Sequence, residues 1–207
     1  MKGKRKFQTD RSGKNILALL AGGDRRTIGH SDRVVEMVGG NAKLFSQLIA
    51  GLWSDHPLVR MRAADAAEKV TRSHRRLLQP YKKELLGLMA EAEQQELRWH
   101  LAAMVPRLGL NAKELPMAVS YLKEYLKGRS SIVKTLALQG LAELAEAEAS
   151  LRPEVAEILR AATRTGTPAM KARSHKLLLR LARIPQVPLA LRVRVTNVHC
   201  SRGEAAL

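Results

Sequence analysis

In the stretch from Pro57 to Val70, apolar and small residues fall at Val59, Ala63, Ala66, Ala67 and Val70, with Arg60, Arg62, Asp65, Glu68 and Lys69 between them. That spacing is one face of a 3.6-residue helix and not the alternation of a strand. Asp55-His56 reads as a capping turn, and Pro57 suits the first helical position, where its missing N–H has no partner to lose. Upstream, Asn41 can cap a helix carrying Leu44, Phe45, Leu48, Ile49 and Leu52, with Trp53 at its end read as core. Earlier still, Ile16, Leu17, Leu19 and Leu20 predict a short helix that stops at Gly22-Gly23. Ser31-Asp32 looks like a cap for a helix over 33–38 ended by Gly39-Gly40. Past residue 182 the pattern breaks. Pro185 and Pro188 stop helix, and Leu191–Val195 alternates like a strand that has nothing to pair with. Residues 183–207 therefore read as an irregular basic tail, and 1–14 as a flexible basic arm.

The two-helix pattern beginning at Asn41 returns three times. First helices begin near Pro80, Pro116 and Pro153, spaced 36 and 37 residues apart, each seventeen positions before Leu97, Val133 or Met170. Ala42 stands at the same distance before Val59. In the second helices, Val59-Arg60 aligns with Leu97-Arg98, Val133-Lys134 and Met170-Lys171. Three core columns follow: Ala63, Leu101, Ala137, Ser174; Ala67, Val105, Leu141, Leu178; and Val70, Leu108, Leu144, Leu181. Pro57 recurs as Pro168, after Thr167 as a cap. The period is 36–38 residues.

This pattern resembles HEAT repeats, the two-helix units of armadillo-type folds, over residues 41–182. Tetratricopeptide units, at about 34 residues, are the nearest competitor, and their Trp-x-x-Leu-Gly pattern is absent. The resemblance implies an all-α, right-handed superhelix (a solenoid) of about four repeats, at 41–76, 77–112, 113–149 and 150–182. Residues 15–40 would form an N-terminal helical cap over the first open face of the stack. The second helices would line its concave surface.

Composition fits a core without many rings: 3% of residues are aromatic against 45% hydrophobic, so Leu, Ala and Val must fill it. Charge changes the picture more. The chain carries +17, of which +5 lies in residues 1–14 and +3 in 183–207, leaving +9 for the helical body. A body of that sign favours polyanions: nucleic acid, anionic membrane or an acidic protein. The one cysteine, Cys200, excludes an intramolecular disulfide framework and a cysteine zinc site. No apolar leader follows Met1, and Ile16 to Ala21 is too short to span a bilayer, so a soluble, cytoplasmic protein is expected.

With Val59 set at zero on a wheel of about 100° per residue, Met61, Asp65, Glu68 and Arg72 point away from the core. The equivalent outward rows hold Met61, Trp99, Thr135, Ala172 and Asp65, Ala103, Gln139, Lys176. Their flanks are Lys69, Arg107, Glu143, Arg180 and Arg62, His100, Leu136, Arg173. The candidate binding residues are therefore Arg62, Lys69, Trp99, His100, Arg107, Arg173, Lys176 and Arg180. Lys134 and Lys171 join them, from a column whose earlier members Arg60 and Arg98 are expected to pair with Asp55 and Glu93 as a structural ladder. Lysine and arginine neutralise phosphates, and a tryptophan offers a base a stacking surface. Outward charges are also commonly just solvated, and Trp99 has room to pack sideways. A protein scaffold and a nucleic-acid binder both fit, and the partner in either case is acidic.

One enzymatic family has a HEAT-like fold, the bacterial alkylpurine DNA glycosylases, and this chain is similar to them in architecture and residue types. That resemblance would cast Trp99, Asp65 and Arg62 or Arg107 in a DNA cleft, without a local motif to carry the roles over. Other chemistry finds no motif. The six histidines show no His-Glu-x-x-His spacing, no phosphate-binding Gly-x-x-x-x-Gly-Lys-Ser/Thr loop exists, and no cofactor is implied. Arg72-Ser73-His74-Arg75-Arg76 is a basic loop between repeats, suited to a phosphate or simply solvated.

Overall fold

The computed structural model describes residues 16–22 and 28–185, and among them the chain is all-helical, with no strand. The helices are α1 (Ile16–Ala21), α2 (Ser31–Val38), α3 (Ala42–Ala50), α4 (Pro57–Ser73), α5 (Lys82–Glu91), α6 (Gln95–Met104), α7 (Glu114–Lys127), α8 (Ser131–Ala147), α9 (Arg152–Thr165) and α10 (Pro168–Ala182). Short 3₁₀ turns follow α3, α4, α6 and α8. The basic arm, the strand-like alternation at 191–195 and the rest of the tail beyond Pro185 lie outside the described residues.

Local chemistry sets these limits. Asn41 Oδ1 accepts from the backbone N–H of Lys43 and Leu44 at 2.9 and 3.1 Å, which starts α3. Thr167 Oγ1 accepts from Met170 N, and Pro168 occupies the first turn of α10. Ser31 departs from its expected role. It makes no cap and instead donates its hydroxyl to Asp65 on α4. The Asp55-His56 turn is closed by Ser54, whose hydroxyl accepts from His56 N at 3.2 Å. Pro106 falls just after α6, which ends at Met104 in a 3₁₀ turn.

Each odd-numbered helix from α3 onward packs on the even-numbered helix after it, and α2, α4, α6, α8 and α10 pack on one another in chain order. The core is one cluster running from Ile16 to Leu181. The column of Ala63, Leu101, Ala137 and Ser174 is fully buried, and Val70, Leu108, Leu144 and Leu181 are buried with it. Only Met170 and Leu178, on the last helix, are half-buried. Small residues set the closest approach. A Cβ on Gly140 would stand 2.7 Å from the Ala102 carbonyl oxygen, so α6 and α8 pack at a distance that only glycine permits.

Arg60 and Arg98 are structural, with partners other than Asp55 and Glu93. Arg60 donates to the Ser54 carbonyl at 2.7 Å and to Gln94 Oε1 at 3.0 Å. Arg98 donates to the Ala92 carbonyl and lies 5.4 Å from the Tyr125 ring centroid. Each guanidinium thus serves carbonyls six residues back, just past the preceding first helix, where a cation is favourable. Trp53, read as core, is 45% exposed. It sits in the 3₁₀ turn Gly51–Trp53, where the tighter winding keeps Leu52 inside and turns the indole out.

Candidate binding face

The outward rows of the even-numbered helices divide into two ends of different character. At the α4 end most of the charge is internal. Helix α2 packs along α4 and covers part of the row the wheel leaves open. Arg62 is fully buried, and its Nη1 donates to the carbonyls of Leu20, at 2.9 Å, and Gly22. It faces no partner molecule, which corrects its assignment to the binding surface. Lys69 bridges Asp32 at 2.7 Å and Asp65 at 2.9 Å. Burial lowers the Lys69 pKa, but the bonds to Asp32 and Asp65 outweigh it and leave a net rise. Asp65 also accepts from Ser31, so the carboxylate suggested for a glycosylase-like cleft is held by its own chain.

Glu68, which the wheel points outward, is buried between Arg72 and Arg107. Arg107 further donates to the Glu68 carbonyl at 2.7 Å and to Thr71 Oγ1 at 3.0 Å, so its guanidinium ties α4 to the end of α6. Trp99 is half-buried against the core, with its ring 5.6 Å from His100 and tilted 62° to it. His100 stands over the same cluster. Burial pushes its imidazole down, Asp65 and Glu68 pull it up, Lys69 and Arg72 push it down again, and the result is a pKa of about 4. At neutral pH His100 is neutral, so it adds no charge for an acidic partner.

That imidazole makes a pH prediction. The unfolded chain takes up the proton near 6.5 and the folded chain only near 4. A histidine whose folded pKa lies below its unfolded one costs stability as pH falls between those values, and nothing further below them. The unfolding free energy from urea denaturation should fall across that window by about 3 kcal/mol in total, and His100→Gln should flatten the slope. Equal slopes for the two proteins would exclude His100 as the source.

The α10 end is different. From Ile158 to Pro185 the chain holds seven Lys and Arg and no Asp or Glu. Arg173, Lys176, Arg180 and Arg183, at three- and four-residue steps, share one side of the helix, and all four are exposed. Arg180 pairs with Glu146 and Arg173 donates to Gln139, both on α8. Lys176 and Arg183 have no side-chain partner among the described residues, and neither has exposed Lys171 nor half-buried Lys134. Between the two ends α8 presents Glu143 and Glu146, so the basic row is interrupted there.

The residues that sequence reasoning missed are the partners: Ser31, Asp32, Glu68 and Glu146. Their signal was the spacing, because Asp32–Lys69 and Arg180–Glu146 join residues 37 and 34 apart, close to the 36–38-residue spacing of the sequence pattern. No helix among the described residues is long and apolar enough to cross a membrane. Comparison with protein-family models, with curated proteins and with solved structures finds no match.

Proposed function

We propose that the chain is a non-enzymatic binding or scaffold module. It is built of about four HEAT-like repeats over 41–182 with 15–40 as a cap, and it holds an acidic partner on the basic side of α10. The repeat reading is supported by the ordered packing of the even-numbered helices and by side-chain contacts that recur at 34–39 residues. The observation that carries the binding reading is the side of α10 itself: four exposed cations in register, two of them without a partner, in a stretch free of acidic residues. Such a surface loses little on desolvation of existing pairs and gains from any polyanion laid along it. Nucleic acid and an acidic protein both meet that requirement.

The test is binding of a short labelled duplex and of polyglutamate, each at two salt concentrations, to the native chain and to Arg173→Ala/Lys176→Ala/Arg183→Ala. The triple change should weaken binding at least tenfold. If the partner is nucleic acid, it should also lower the slope of log affinity against log salt by about 3, near one for each phosphate left unneutralised. Undiminished binding by the variant would place the partner elsewhere and end this reading of α10.

A further inference from the structure

A second basic feature lies at the end of α4, which α6 and α8 separate from α10 in the packing order. Helix α4 ends at Ser73, and the chain turns through His74 into the 3₁₀ segment Arg75–Tyr81. The six consecutive residues Arg72 to Leu77 line an open cleft of about 420 Å³. That volume lies within the range of small-ligand sites, about 300–1,000 Å³. Its lining contains three arginines, a histidine and no carboxylate.

The state of these arginines distinguishes them from solvated surface charge. Arg72 is fixed by Glu68, with Nε at 3.1 and 3.0 Å from the two carboxylate oxygens and Nη2 at 2.6 Å from Oε2. Glu68 is shared with Arg107, so one buried carboxylate serves two guanidinium groups and is spent before it reaches the cleft. The side chains of Arg75 and Arg76 make no hydrogen bond or ion pair among the described residues, and both are exposed. Three like charges therefore line one small concavity, one of them held in position and two free to close on a ligand.

We infer that the Arg72–Leu77 cleft is a binding site for a phosphate group, with Arg75 and Arg76 gripping it and Arg72 fixed beside them. The planar guanidinium fork matches phosphate oxygens two at a time, which an ammonium cannot do. A dianion also offsets the two uncompensated charges of Arg75 and Arg76 more fully than a single carboxylate, Arg72 being already paired with Glu68. The phosphate can belong to a free polyphosphate compound or to the end of a nucleic acid strand, and the chemistry of the grip is the same.

The experiment is calorimetric titration of the full chain with inorganic tripolyphosphate at low salt. The native chain is compared with Arg75→Ala/Arg76→Ala and with Lys113→Ala/Arg129→Ala, which removes the same charge from exposed positions that neither binding face uses. The first variant should lose at least tenfold in affinity and the second less than twofold. All four side chains are exposed, and unchanged thermal unfolding of both variants would verify that the fold is intact. Equal losses in the two variants would mean diffuse attraction and overturn the site, as would absence of binding by the native chain. Competition by a 5′-phosphorylated single strand, but not by its unphosphorylated form, would assign the phosphate to a nucleic acid end. Failure of both strands to compete, with the arginine dependence retained, would assign it to a free phosphate compound.

Discussion

Arg62→Ala is expected to lower the unfolding free energy of the chain by about 3 kcal/mol or more, the range for an uncompensated loss at a buried charged site. The side chain is fully buried, and its guanidinium reaches the carbonyls of Leu20 and Gly22 at the end of α1. Those carbonyls have no partner within the helix, and a cation at a helix C-terminus is further favoured by the aligned peptide dipoles. Six residues are too few for a helix to stand alone. Helix α1 is held by Ile16 and Leu20 in the core and by this arginine. Gly29 reflects the same arrangement. At φ +55° it lies against the guanidinium, and a Cβ there would come within 2.6 Å of Cζ. Alanine at 62 would leave carbonyls unserved and a cavity the length of the side chain, whereas lysine would keep the charge and lose the fork. Urea denaturation should therefore rank native above Arg62→Lys above Arg62→Ala, with faster amide exchange over Ile16–Ala21 in the last. A loss of less than about 1 kcal/mol in Arg62→Ala would show that α1 does not depend on it.

Where helices begin was legible because the signals are local. Asn41, Pro57, Pro153 and Pro168 each stand within a residue of a helix start in the structure. Which side of each second helix is buried was legible too, since a 3.6-residue period fixes it whatever the neighbour is. The chemistry of the other side was not. A wheel treats the positions opposite the core as open, and on α4 they are flanked by α2 on one side and α6 on the other. Arg62, Asp65, Glu68 and Lys69 therefore became interior or paired groups, while Arg173, Lys176 and Arg180, on a helix with α8 along one side, stayed exposed. The same four-residue signal, Glu68 before Arg72, was readable as a pair on one helix. That Arg107 would arrive from the end of α6 to share the carboxylate was not, because the side chain reaches it only after α6 gives way to a 3₁₀ turn at Val105.

Glu68→Ala is the second large effect, expected at about 3 kcal/mol, because it strands a charge that the fold has already taken out of water. Side-chain exposure is 6% for Glu68 and 14% for Arg107. Burial by itself raises the carboxyl pKa, but hydrogen bonds from Arg72 and Arg107 and the charges behind them outweigh it and lower it overall. A carboxylate whose folded pKa lies below its unfolded one contributes stability above the unfolded value, and that contribution is lost as pH falls through the folded value. Glu68→Gln should therefore remove part of the acid sensitivity below the ordinary glutamate range, a window distinct from that of His100. The alanine variant leaves Arg107 with only the Glu68 carbonyl and Thr71 Oγ1. Arg107 spans the α4–α6 seam, so its unpaired charge should loosen the packing of α6 on α4. Replacing both partners, as Glu68→Ala/Arg107→Met, should recover much of the loss, since removing a buried pair together is far less costly than breaking it. Denaturation of the two single variants and the double variant decides the matter. Strictly additive losses would mean that Glu68 and Arg107 act independently and that the seam is held by its apolar contacts alone.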